Sequence, residues 1–408
     1  MKEGWEVKKL GDICEIKPPK KLAKEKLSES DLVTFFPMED LKIFNHYIKP
    51  IKTKYLKDVY GGYVYFENND VLLAKITPCF ENGKLGIAKD LKNGIGFGSS
   101  EYMVFRPKVG VLSEYIYYFL SLENIRRVGK NRMTGAVGHK RIPVDYLSNQ
   151  NLITPPLPEQ KRIVAILDKT FSAIAKAKAN AEQNLKNAKE LFESYLQEVF
   201  EKVKAKGQLF KLANYLDLIT YGFTNPMPTT DSGPFKVTAK NVKNGIVDYE
   251  TSRRTSQEAF DNLITDKCRP KKGDVLLTKD GTLGRLAVVE HANLCINQSV
   301  ALLRPDKQLD SYYLKALLSS QFYQSIMISQ AGGATIKHIY ITRVDKMDVP
   351  VPSLKEQQTI VQKLEAFNAE TKKLETIYQQ KIQDLEELKK SVLQKAFNGE
   401  LTDKEIPG

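Results

Sequence analysis

Two pairs of short loops carry the side chains of this sequence that could act together. The first pair follows the apolar runs "DVLLAK" and "DVLLTK". It offers Lys75, Thr77, Glu81, Asn82 and Lys84 in one half, and Lys279, Asp280, Thr282 and Arg285 in the other. The second pair lies in and around the glycine-bearing stretches "TGAVGHKRI" and "GGATIKHIYI". It offers Arg132, Thr134, His139, Lys140 and Arg141, then Thr335, Lys337, His338 and Arg343. Lys and Arg neutralise phosphates and release counterions, and Arg can address a guanine edge with two parallel hydrogen bonds. Asp, Glu, Asn and Thr match other base edges, and Gly lets backbone come close to a phosphate. The bland alternative is a set of ordinary solvated loops. Recurrence of the same loop type in two basic stretches favours contact with DNA.

Catalysis finds no constellation to work with. The four histidines, His46, His139, His291 and His338, form no HxH or HExxH spacing. The glycines of "GIGFGSS" precede a strand-like run rather than a helix, so a turn is expected there and not a phosphate cradle. "TPPL" at 154–157 lacks both the polar and the aromatic residue of the amino-methyltransferase tetrapeptide. "DICEIK" places two acids and a lysine too close together for a metal-dependent nuclease core. The scattered Cys14, Cys79, Cys268 and Cys295 form no CxxC pair, which argues against zinc and against a disulfide framework. A reducing, cytoplasmic setting is expected. No apolar run reaches 18 residues, so no membrane span is expected.

The elements that must position these loops follow from charge and repetition. A net charge of +13 points to a polyanion partner. Residues 1–154 carry 25 basic against 18 acidic side chains, and residues 207–353 carry 18 against 14. The stretches 155–206 and 354–408 are nearly balanced, and they repeat each other. Leu157, Glu159, Gln160, Ile163, Val164 and Leu167 recur 197 positions later as Leu354, Glu356, Gln357, Ile360, Val361 and Leu364, and "SYLQEVF" returns as "SVLQKAF" at the same offset.

Both segments open at prolines and then run without Pro or Gly to Gly207 and Gly399. Apolar residues at steps of three and four predict long helices. The first seam runs Val164, Leu167, Phe171, Ile174, Lys178, Ala181, Leu185, Ala188, Phe192, Tyr195 and Val199. The second runs Ile360, Leu364, Phe367, Thr371, Leu374, Tyr378, Lys381, Leu385, Leu388, Val392 and Lys395. Each rod of about 66 Å needs a partner for its seam. Two of equal length in one chain predict an intramolecular antiparallel coiled coil. Core helices of separate domains, or seams for other chains, are the alternative.

The runs "VLLAK", "MVFRP", "VLLTK" and "ALLRP" read as strands, and "EYIYYFL" reads as a helix. The fold expected is therefore α+β: two similar mixed α/β heads, 1–154 and 207–353, separated by a long helix at 155–206 and by a second long helix with a C-terminal tail at 354–408, and related by an approximate twofold axis.

The phrases "PPLPEQKRIV", "PVPSLKEQQTIV", "LQEVF", "LQKAFNGELT", "GDVLLTKDGTLGR" and "GGATIKHIYIT" together resemble one family. It is that of the specificity subunits of type I restriction–modification systems, and the resemblance covers essentially the whole chain. It implies two target-recognition domains, each reading half of a split site in double-stranded DNA, and helices that space them. It implies a subunit without catalysis of its own, which recruits two adenine-methylating subunits and motor-nuclease subunits. S-adenosylmethionine would bind only in the methylating partners, and this chain would hold no cofactor or metal. The first half departs from the family wording with "NDVLLAKITPCFENGKLG". A stand-alone DNA-binding or architectural protein, a fused nuclease or methyltransferase, and a purely structural coiled-coil adaptor are the rival readings. Sequence-independent binding, activity of the purified chain, and absence of DNA binding would mark them in turn.

Overall fold

Side-chain alternation along four short strands decides how each half is built. In the strand Val71–Ala74, Val71 and Leu73 enter one apolar cluster while Leu72 and Ala74 enter another. The neighbouring strand Tyr102–Pro107 divides the same way, with Met103 and Phe105 on one side and Tyr102 and Val104 on the other. In the strand Val275–Thr278, Val275 and Leu277 oppose Leu276, and in Val300–Pro305, Ala301 and Leu303 oppose Val300 and Leu302. A strand covered on both faces has no polar side to show, which is why these segments read as unbroken apolar runs.

The computed structural model describes residues 3–333 and 337–401. The chain divides into two units, Met1–Ala181 with Gln380–Gly408, and Glu182–Gln379. Each contains a head and the adjoining parts of both long helices, which span Leu157–Lys206 and Leu354–Asn398.

In the first unit, five strands lie in the order Cys14–Ile16, Tyr102–Pro107, Val71–Ala74, Leu85–Ile87, Asn45–Tyr47. A second sheet of four has Leu32–Phe36 and Ile95–Gly98 parallel at its centre. The helix Ser113–Leu120 covers the first sheet, and its Tyr115 meets Phe397 with ring centroids 4.9 Å apart. Ile163, Val164 and Leu167 from the start of the first long helix join Leu393, Ala396 and Phe397 from the end of the second in the same core.

The second unit repeats this plan. Its main sheet runs Leu216–Tyr221, Val300–Pro305, Val275–Thr278, Leu286–Val288. Tyr313 of the helix Ser311–Ser319 meets Phe200, here from the end of the first long helix, with centroids 5.5 Å apart. Leu196 and Phe200 share that core with Leu364 from the start of the second. In each unit the two helices therefore lie antiparallel, as a coiled-coil pair. The outer sheets differ: three strands, Arg253–Arg254, Thr230–Val237 and Leu294–Ile296, stand here in place of the first unit's four.

The repeated phrase at each helix start has a direct physical role. Gln160 and Gln357 are both fully buried. The Gln160 carboxamide accepts from Leu112 N at 3.0 Å and donates to the carbonyls of Gly110 and Pro155 at 3.0 and 2.9 Å. Gln357 accepts from Asp310 N at 2.8 Å and donates to the carbonyls of Gln308 and Pro352 at 2.9 and 2.8 Å. Each amide fastens the helix start to the turn that launches the head's own helix. A second duplicated bond stands beside it: the Tyr115 hydroxyl donates to Ile153 O, and that of Tyr313 to Pro350 O. A third is the two-pronged pairing of Arg106 with Asp70 and of Arg304 with Asp274, each at 2.7 and 2.8 Å.

The helix ends are set locally. Ser353 and Glu356 form a reciprocal N-terminal cap, and Gly399, with φ of +83°, closes the second helix in a left-handed turn. One part of the expected seam shifts. Leu374, Lys381, Leu388 and Lys395 are exposed, whereas Glu375 and Ile382 are partly covered and Ala396 is buried. Two successive four-residue steps, from Phe367 to Thr371 to Glu375, carry the covered stripe forward by one residue. This keeps it at the period of a straight helix, where a strict alternation of three and four would drift.

Replacing Gln160 or Gln357 by Ala strands one buried N–H and two carbonyls. Each change should destabilise its unit by about 3 kcal/mol. The exposed neighbour Lys161→Ala should shift stability by no more than about 0.5 kcal/mol. Denaturant unfolding of the three variants checks this, and equal midpoints for all three would refute the clamp.

Candidate nucleic-acid interface

In both units the two loops marked by sequence are stitched into one surface. In the first unit, Ile142 N donates to Lys75 O and Thr77 N to Lys140 O, both at 2.9 Å. Thr134 and Arg141 exchange backbone bonds of 3.0 and 2.8 Å across the mouth of the glycine-rich loop. In the second, Ile339 N donates to Lys279 O at 2.9 Å, and Gly332 and His338 exchange bonds of 3.1 and 2.7 Å. The strand ends Ala74 and Thr278 thus each deliver a lysine into a short ladder with the glycine-rich loop.

This ladder fixes which residues are equivalent. Arg141 stands where His338 stands, Thr134 where Gly332 stands, and Ile76 where Asp280 stands. His139 and His338 share a loop but not a register position. At the far end of the strand loops, Ala74 N donates to Lys84 O and Thr278 N to Arg285 O, so Lys84 and Arg285 are equivalent too.

The side chains fall into two sets. Arg132, His139, Lys140, Thr282, Arg285 and Lys337 are exposed on the loops. Asn82 and Thr134 are exposed as well, whereas Lys75, Thr77, Lys84, Arg141, Lys279, His338 and Arg343 have their polar heads engaged within the protein. Lys75 Nζ donates to Ser100 O at 2.8 Å, and burial pushes its ammonium below the ordinary lysine value. The Thr77 hydroxyl bonds Glu81, Lys84 Nζ donates to Met38 O at 2.9 Å, and the Arg343 guanidinium bonds Gln330 O and lies over the Tyr340 ring. The Lys84 head is thereby turned away from the loop surface. Thr335 lies outside the described residues.

Two acids organise the rest. The Arg141 guanidinium makes a two-pronged pair with Glu101, 2.9 Å from Nε and 2.7 Å from Nη2. The Asp280 carboxylate receives Lys279 Nζ at 2.9 and 3.0 Å and lies 2.6 Å from His338 Nδ1. Sequence reasoning misses Glu101, because it sits at the mouth of the strand run "SSEYMVFRP". Its only sequence signal is a lone acid just before a buried strand. The bond to Arg141 holds its carboxyl below the ordinary glutamate value. The pair therefore stabilises at neutral pH, and that contribution fades as pH falls through the depressed midpoint.

Among the described residues no group of three or more His, Cys, Asp or Glu is placed to hold a metal ion, and no helix is long and apolar enough to cross a membrane. A cavity of about 780 Å³ in the first unit, lined by His46, Tyr118, Asp168, Phe171 and Lys389 among others, contains none of the candidate loop residues.

A sequence model described as "Type I restriction modification DNA specificity domain" matches residues 2–186 and 190–386. The EcoAI type I restriction enzyme specificity subunit of Escherichia coli is 38% identical over 166 residues, 40% of this chain but only 27% of that protein's length. The EcoBI specificity subunit of the same organism is 27% identical over 304 residues, 67% of this chain and 63% of that one. Among solved structures, one reported under the assembly and conformational transition of the type I R-M system superposes with a TM-score of 0.77 at 21% identity, covering 98% of this chain and 99% of that one. The HsdS subunit from Thermoanaerobacter tengcongensis gives 0.68 at 19% identity, covering 98% of each. At these identities the two structures speak for the fold.

Arg141→Ala should raise the titration midpoint of the Glu101 carboxyl towards the ordinary glutamate value. Carbon-detected NMR titration of both proteins checks this, and an unchanged midpoint would show that the pair does not form in solution.

Proposed function

The chain belongs to the type I restriction modification DNA specificity domain family, and from that membership we propose that it is the non-catalytic subunit that tells a type I enzyme where to act on DNA. Each head reads one half of a split, asymmetric site in double-stranded DNA. The helical pair sets the unread gap. Two adenine-N6 methyltransferase subunits, which bring S-adenosylmethionine, and the motor-nuclease subunits assemble on it. The observation that carries this reading is the duplicated loop ladder: Ile142 to Lys75 in one unit and Ile339 to Lys279 in the other. One backbone scaffold presents two different sets of exposed cations and polar groups. That is what an asymmetric, two-part target requires.

The exposed Arg132, Lys140, Arg285 and Lys337 act on this reading as phosphate ligands or base readers, with His139 and Thr282 beside them. Replacing a phosphate-binding cation by Ala should weaken binding to all sequences and flatten the salt dependence by about one unit. Replacing a base reader should relax one position and cost about 1–3 kcal/mol there.

A direct test changes the spacer and a reader separately. Inserting one heptad into each long helix adds roughly 10 Å, about three base pairs, and should lengthen the gap while both half-sites stay the same. Exchanging residues 207–353 for those of another family member should change one half-site only. A gap unaffected by the insertions, or two half-sites altered by one exchange, would overturn the reading.

A further inference from the structure

The same place in the two loop ladders is occupied by a nitrogen-bearing side chain that a carboxylate of the protein itself engages. In the first unit this is Arg141, and the acid is Glu101, reaching in from the start of the strand Tyr102–Pro107. In the second it is His338, and the acid is Asp280, on the strand-loop side of the ladder. Ile76 and Ser299 occupy the exchanged positions, since Lys75 N bonds Glu101 O as Lys279 N bonds Ser299 O. Two different sequences thus arrive at one arrangement, a basic head in the reading surface covered by an internal carboxylate. Ladder geometry alone does not call for it, because backbone bonds already hold the loops together.

We propose that Glu101 and Asp280 act as internal counter-anions that compete with DNA phosphate for the cations of the reading loops, and so hold down binding to non-target DNA. This rests on the DNA-recognition reading above. Arg141 retains 47% of its side-chain exposure and Glu101 21%. An ion pair this open to water contributes little stability, so a well-placed nucleic acid group can take the guanidinium from it. A poorly placed backbone gains one cation fewer. The two prongs that Arg141 gives to Glu101 are also the geometry in which Arg addresses a phosphate or a guanine edge. The Asp280 site is more enclosed, with Lys279 and Asp280 at 15% and 18% exposure, and its carboxylate is shared by the Lys279 ammonium and the His338 imidazole. Its competition is therefore the harder to relieve.

The test measures binding of the full chain, in complex with its methylating subunits, to target and non-target duplexes across a salt series. Removing the charge by Glu101→Gln frees one cation. The slope of log K against log salt for non-target DNA should then steepen by about 0.9, which means about eightfold more affinity gained between 1 M and 0.1 M salt. Discrimination between target and non-target should fall correspondingly. Glu101→Gln combined with Arg141→Ala should return the slope to the wild-type value. A Glu101→Gln protein that is folded by circular dichroism but has an unchanged non-target slope overturns the proposal. So does a steeper slope that persists without Arg141. Asp280→Asn provides the same readout in the second unit. A wild-type complex that shows no target preference at all would instead refute the DNA-recognition reading itself, so the two failures are distinct.

Discussion

One buried glutamine holds each head to its helix, and much else in the fold depends on that attachment. A primary amide offers two donors and an accepting oxygen, and Gln160 and Gln357 commit both donors and one accepted bond to backbone groups of a neighbouring turn and of the proline-bearing entry. Buried amides of this kind are strongly directional, because any rotation of head against helix start breaks several bonds at once. The apolar contacts of Tyr115 with Phe397 and of Tyr313 with Phe200 then add area to a geometry already fixed. This also explains why the phrase occurs twice. Both copies solve the same attachment problem, and Gln at that place can satisfy a donor and two acceptors together.

Rigid attachment matters for what the loops can do. Each loop pair grows from the end of a strand that is buried on both faces, and each is closed by backbone bonds rather than by side chains alone. Side chains on the outside can then vary without disturbing the scaffold. The loop after Val71–Ala74 is longer than its counterpart after Val275–Thr278, and Lys84 turns inward to Met38 where the equivalent Arg285 stays exposed. On a common frame, such differences are how two heads would come to prefer different bases.

Much of this is written in the amino-acid order. The 197-residue offset, the unbroken apolar runs and the proline entries with glycine exits give the strands, the head helices and the long helices, because each is a local or periodic consequence of packing. The candidate loops are legible for the same reason. Register is not. His139 and His338 both fall in the glycine-rich loop, whereas backbone pairing puts Arg141, two positions after His139, where His338 stands. Glu101 is hidden because its partner lies 40 positions away and comes near only when the strand pairs. The second helix's seam misleads in one stretch because Leu374 and Leu388 are apolar yet exposed, so composition suggests a stripe that the helix does not bury.

The central claim is that this chain selects a split DNA sequence for adenine methylation. The most direct measurement is to co-express it with the methylating subunit of its own locus and map N6-methyladenine across the host genome at base resolution. The account predicts one two-part motif with a fixed unread gap and a methylated adenine in each half. Soluble, associated subunits that leave the genome unmethylated, or methylation at a continuous or unspecific motif, would contradict it.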